Sequence, residues 1–386
     1  WAETVGAPML FLSEAEWTQH LAAAGYRTVA VTESGFVVPA FGMDQGFEEF
    51  LVGPPTDLDA TLARVAEVLE RDDGRPLFLY VQTFRAHHAY VASDAARAAL
   101  PDLFADAHVD HDWHFQTMMD AIAGDVDDPS FLDPEDSNAV MADAVLAHPG
   151  LAELEALYRG GSWDLDAGFG TFLAMLDDAG LGDAPLVLTS DHGEAFGEHG
   201  IAGHGNAPFE EELWIPMVWR IPGASPATLA TPASLVDLGP TLCELADLPA
   251  PEFWEGDSLV PLLRGQAEPI DRELLAYESP MHRSGLPAEV TLRAGDRKVI
   301  ATLDAQGQVV AGSLRAYDLA TDPLEEQPLD ASDAPWASVL GEALEARLAE
   351  LATPRFPPRS IHLTPEAEAE LRAMGYLGDE EEPPAD

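Results

Sequence analysis

The stretch Leu186-Val187-Leu188-Thr189-Ser190-Asp191-His192-Gly193 narrows the choice of fold more than any other part of the chain. An apolar run enters a polar turn broken by glycine. A short strand that stops this way delivers its last side chains to the carboxyl end of a sheet, where open α/β folds build their sites. Asp191, His192, His199 and His204 follow in close succession, separated by glycines. Asp191 offers a hard oxygen and His192 an imidazole nitrogen, so the pair can ligate a divalent cation. A solvated Gly/His loop is the competing reading of the same residues.

The rest of the chain supports that fold class. Ser13-Glu14-Ala15-Glu16 reads as a capping box opening a helix to Ala24, with Gly25 at its end. Strands are predicted over 27–32, 77–81 (as a buried strand), 186–190 and 214–219. Helical spacing covers 58–71, 151–176 and 234–245, with Pro240 in a first turn or at a kink. Such alternation implies an α/β fold, a mostly parallel sheet covered on both faces by helices. Residues 92–150 are weakly patterned and read as an insertion over the site. After about residue 265 short strands with turn signals (274–277, 290–292, 298–302, 309–310, 315–317) predict a small antiparallel sheet, followed by a helix over 335–351. The expected division is a large α/β domain over 1–264, a small α+β subdomain over 265–378 and an acidic disordered tail over 379–386.

Charge restricts the partners. The chain of 386 residues carries 69 acidic and 19 basic side chains, a formal net charge of -50. Lys298 is its one lysine. That surface repels nucleic acid and anionic membranes. It also repels itself, so a salt-loving source is expected; a GC-rich genome that favours Arg over Lys is the competing explanation. No apolar run is long enough to span a bilayer. One cysteine, Cys243, in an apolar helical pattern, excludes an internal disulfide framework and reads as a small core residue. Oligomeric state is not legible.

Several blocks carry a family resemblance. Leu186 to Gly223 is similar to the sulfatases of the alkaline phosphatase superfamily, in which strand-Ser-Asp-(Asn/His)-Gly supplies two ligands of the active-site metal. Leu21 to Val31, Phe41 to Phe47, Ser234 to Leu242, Gly256 to Leu263 and Leu371 to Gly378 resemble further segments of that family, in the family's order. The resemblance implies an alkaline-phosphatase-like fold and hydrolysis of a small-molecule or saccharide sulfate ester, in an extracytoplasmic setting. It implies Asp191 and His192 as ligands of a divalent metal, calcium in most sulfatases.

Phe84-Arg85-Ala86-His87-His88-Ala89-Tyr90 is similar to the family's Asp-Pro-His-x-Pro-Tyr loop. His87 matches the catalytic histidine there, while Arg85 stands in place of the usual Asp and both prolines are alanines. His204 matches a position that often holds Lys or His and would offset charge on the sulfate oxygens. His199 and Glu194 read as neighbours that orient the site or as structural groups. Lys298 resembles a recurrent lysine of the C-terminal sheet, though a solvated strand charge is the expected role.

The departures shape the expectation for this chain. The family's leading Asp-Asp pair and its Cys/Ser-x-Pro-x-Arg nucleophile motif, the source of formylglycine, are not found; Ser279-Pro280-Met281-His282-Arg283 has the wrong spacing. The reading is a sulfatase-like chain without its leading segment, and so without a nucleophile or a full set of metal ligands. It should bind metal weakly and turn over little, while the complete protein is a hydrolase. A phosphatase or phosphonate monoester hydrolase of the same superfamily, and a non-catalytic sulfatase-like binding protein, are the alternatives.

Overall fold

The computed structural model describes residues 12–33, 37–87, 90–105, 150–205, 207–267, 272–278, 288–304, 306–330 and 333–351. The Leu371 to Gly378 block, the acidic tail, His88 and the Ser279–Arg283 lookalike lie outside them. Helix α1 (Leu12–Ala23) leads into β1 (Arg27–Thr32), which is buried along its whole length. The described part of α1 already includes residue 13, where the sequence places its opening. β1 is flanked by β2 (Glu49–Val52) and β3 (Leu77–Val81), and both pair with it in parallel. Between β2 and β3 runs α2 (Leu58–Leu69), capped by the Asp57 carboxylate on the amide of Ala60. Its Val65 and Val68 interlock with Val29 and Val31 in a dry cluster. β3 is half-buried at every residue, whereas the apolar run predicted a buried strand. Among the described residues it pairs only with β1, which leaves one edge without a neighbour.

Past the short α3 (Asp94–Ala99), the long helix α4 (Leu151–Asp178) crosses back over α2. A Cβ at Gly161 would stand 2.6 Å from the carbonyl oxygen of Arg85, so glycine there lets α4 pack against the loop leaving β3. β4 (Leu186–Thr189) pairs antiparallel with β7 (Met217–Arg220) as a separate two-stranded sheet among the described residues. Between them lie β5 (Ala195–Phe196), β6 (Ala202–Gly203) and a helical turn, α5 (Glu210–Leu213). The strand predicted over 214–219 begins only at Met217, because Trp214 ends α5 and is 81% exposed. α6 (Leu238–Leu245) takes Pro240 in its first turn and buries Cys243; α7 (Val260–Leu263) follows.

The C-terminal sheet is antiparallel in the order β11-β10-β9-β8, from β8 (Glu273–Glu278), β9 (Glu289–Ala294), β10 (Arg297–Thr302) and β11 (Arg315–Asp318). Its two faces are both covered. Val299 and Ala301 pack under α8 (Ala337–Leu351) with Leu340 and Leu344. Ile300, together with Tyr317 and Leu319, packs against Ala207 and Phe209, beside α5. Residues two apart on a strand share a face, so Lys298 points the same way as Ile300, toward α5. Lys298 is 0% exposed and pairs with Glu210 and Glu325, which corrects the expectation of a solvated charge.

Candidate functional site

The loops that leave β3, β4 and the β5–β6 hairpin converge. They carry His87, the pair Asp191 and His192, and His204, respectively. Ring centroids of His87 and His204 lie 4.9 Å apart, those of His192 and His204 3.9 Å, and those of His87 and His192 6.1 Å. One ligand nitrogen from each of the three rings falls within 4.8 Å of the others. Residues distant in sequence therefore meet at the carboxyl ends of strands that belong to different pairings.

Local contacts set each ring. The amide of His87 donates to the carbonyl of Phe84, and the Phe84 ring meets the imidazole edge-on at 4.7 Å. The Phe84 amide in turn donates to Glu33, a fully buried carboxylate at the end of β1 that also accepts from the Thr61 hydroxyl. Arg85 turns away from His87 and pairs with Asp164 of α4, whose carboxylate also takes the amide and hydroxyl of Ser93. The arginine that replaces the family's usual Asp thus fastens the loop to α4.

His192 Nδ1 lies 2.8 Å from the carbonyl of Gly193. That contact requires a proton on Nδ1 and leaves the Nε2 lone pair for a ligand. Nε2 is 3.8 Å from an Asp191 carboxylate oxygen, and the Asp191 side chain is 81% exposed. Gly193 sits where a Cβ would stand 2.0 Å from the carbonyl oxygen of Glu211. The turn after His192 can therefore lie against α5 only as glycine.

His204 Nδ1 bonds a Glu194 carboxylate oxygen at 2.9 Å, with the side chains 14% and 3% exposed. Burial pushes the imidazole down, yet Glu194 beside it more than offsets this and holds it above the ordinary 6.5. Burial pushes Glu194 up, while the His204 and Tyr90 hydrogen bonds prevail and hold it below 4.5. Glu194 thus favours the charged form of the His204 imidazole, which faces His87 and His192. His199 is elsewhere. It stacks on Phe209 at 3.6 Å and bridges Glu211 (2.7 Å) and the carbonyl of Glu325 (3.1 Å). Among the described residues Lys298 pairs with Glu210 of α5 and with Glu325 rather than with the three histidines.

Sequence reasoning passed over Glu33, Glu211, Glu212 and Glu325, and quoted Tyr90 in its motif without giving it a role. An isolated buried carboxylate and a run of glutamates look like ordinary surface charges in a linear reading. Nothing local marked them.

The sequence profile of the Sulfatase family matches residues 18–248. A choline-sulfatase of Rhizobium meliloti (strain 1021) is 30% identical over 271 residues, which is 66% of this chain and 47% of that protein. Among solved structures, one in complex with its substrate D-glucosamine-2-N,6-O-disulfate superposes with a TM-score of 0.65 at 18% identity, covering 89% of this chain and 83% of the other. A phosphonate monoester hydrolase from Silicibacter pomeroyi gives 0.60 at 16% identity, covering 86% and 79%. The chain spans half or less of the length of the curated relatives first matched, 47%, 24% and 33%.

Proposed function

Because this chain belongs to the sulfatase family, we propose that its site serves the hydrolysis of a sulfate monoester, small-molecule or saccharide, with a divalent cation. The observation that carries the proposal is the convergence of His87, His192 and His204 beside Asp191. The Asp191 carboxylate and the His192 Nε2 lone pair fit two positions of a metal's ligand set, since Nδ1 of His192 is committed to Gly193. Calcium, which the family resemblance implies, takes about 6 to 8 mostly oxygen ligands, so these two residues would hold only part of its shell. A bound cation would polarise the ester and fix its orientation.

Two of the chain's own residues would assist the hydrolysis, in which an oxygen nucleophile bonds to sulfur as the ester S–O bond breaks; none of the described residues is assigned as that nucleophile. His204, kept charged by Glu194, faces the anionic oxygens and offsets the charge that develops on them. His87 stands across from it, placed to hand a proton to the departing alcohol. Cys243 lies buried in α6.

The test compares sulfate release from an aryl sulfate with phosphate release from an aryl phosphate by the full gene product. His87→Ala should lower kcat for the sulfate at least about 100-fold. Asp191→Ala should abolish cation binding in a calorimetric titration with Ca²⁺, Mn²⁺ and Zn²⁺. Undiminished turnover in both variants overturns the assignment, and a preference for the phosphate ester replaces it with the phosphatase reading.

A further inference from the structure

α5 contains three successive glutamates, and each is committed to a different neighbour. The Glu212 carbonyl accepts from the amide of Gly193 (2.7 Å), and its carboxylate accepts from the amides of Gly205 (2.6 Å) and Ala207 (3.3 Å). The Glu211 carbonyl accepts from the amide of Glu194 (2.9 Å), and its carboxylate holds His199. These bonds fix the backbone next to His192 on one side and next to His204 on the other. Glu210 faces the opposite way. Its carboxylate meets Lys298 Nζ at 3.0 Å and Arg293 at 2.6 Å, and its amide donates to Glu325 at 2.7 Å.

Lys298 sits between two carboxylates, with Glu325 at 2.8 Å and both side chains of that pair fully buried. Glu325 holds a left-handed backbone, φ 54, and its carbonyl takes the far nitrogen of His199. Burial pushes its carboxyl up despite the lysine. Without the ammonium, Glu210 would keep Arg293 as its cationic partner, while the fully buried Glu325 would be left with no counter-charge from Lys298 and with Glu210 nearby, an arrangement relieved by a proton on Glu325 or by movement of the pair. Both Glu210 contacts, its amide on Glu325 and its carboxylate on Lys298, tie that response to α5.

We infer that Lys298 is a positioning residue: from the C-terminal sheet it clamps Glu210 and Glu325 together, and so sets the α5 turn that holds the backbone beside His192 and His204. The inference rests on the hydrolase reading only for what those histidines do.

The experiment measures native-state amide hydrogen exchange by NMR on this chain, without substrate, so a chain that turns over no ester still tests it. The amides read are Gly193, Glu194 and Gly205, with Val29 and Val31 of β1 as the reference for global opening. In Lys298→Met the three site amides should exchange at least about tenfold faster relative to the reference. Adding Glu325→Gln, which removes one of the facing charges, should recover most of that protection. If Lys298→Met does not fold, Glu325→Gln alone is read beside Glu210→Gln, and each should loosen the same amides with β1 unchanged. Equal acceleration of all five amides, or no change at the site amides, overturns the inference and leaves the hydrolase reading standing.

Discussion

Replacing Glu194 by Gln removes the charge that keeps His204 cationic and leaves the shape almost unchanged. The oxygen sits 2.9 Å from Nδ1, and both side chains are nearly buried. At an effective dielectric of about 20, two unit charges at that separation attract by about 6 kcal/mol. Desolvation of both ions opposes most of this, and the glutamine can still accept the Nδ1 proton. The net loss of stability should be about 1.5–3 kcal/mol, the range for a hydrogen bond to a charged group. Its pH dependence follows from the direction of each shift. His204 titrates above 6.5 in the folded protein, so its contribution is complete below 6.5 and fades as pH rises through the folded value. Glu194 titrates below 4.5, so its contribution is complete above 4.5 and fades as pH falls through its folded value. The difference between wild type and Glu194→Gln should therefore be largest between 4.5 and 6.5 and shrink on the alkaline side. Urea unfolding across that range reads the difference, and imidazole NMR reads His204 directly. The His204 midpoint should fall in the variant, because the charge of Glu194, a leading contribution that opposes burial, is then gone. A midpoint that does not move, or a stability gap that does not vary with pH, refutes the reasoning.

Three further outcomes are expected. Gly193→Ala forces a methyl group against the backbone of Glu211 and should cost about 1–3 kcal/mol in urea unfolding, whereas Gly170→Ala, with open space on an exposed helical face, should gain about 1 kcal/mol. His199 is pushed down by burial but held above 6.5 by Glu211 and Glu325, so its contribution is complete below 6.5 and lost as pH rises; Glu211→Gln should flatten the urea midpoint over that rise. With a net charge of -50, thermal unfolding should move to higher temperature as KCl is raised, and a melting temperature indifferent to salt would contradict the self-repulsion argument.

The apolar runs at 27–32, 77–81 and 186–189 announced their strands almost to the residue, and the turn after β4 placed Asp191 and His192 at a strand's end. Four of the five short strands expected after residue 265 were equally plain, because period-two patterning and tight turns are local properties, while 309–310 forms no strand and contributes only an isolated bridge from Val309 to Leu303. Less legible were α5, whose four residues carry no periodicity, and β2, a four-residue strand too short to show a period despite the Gly53-Pro54-Pro55 turn that follows it.

Local patterning, set by which neighbours along the chain are apolar, polar or glycine, determined the α/β class, the C-terminal sheet and the positions of the histidines. The pairing of those histidines was decided only in three dimensions. His87 is brought to His192 and His204 by packing of α4 on the β3 loop, and Glu194 becomes the partner of His204 because the β5–β6 hairpin folds back. Lys298 makes the same point most sharply. On its strand it alternates like any surface lysine, and it is buried because the second face of its sheet is covered by residues from elsewhere in the chain. Burial and charge pairing depend on contacts between distant segments, which a linear pattern does not contain.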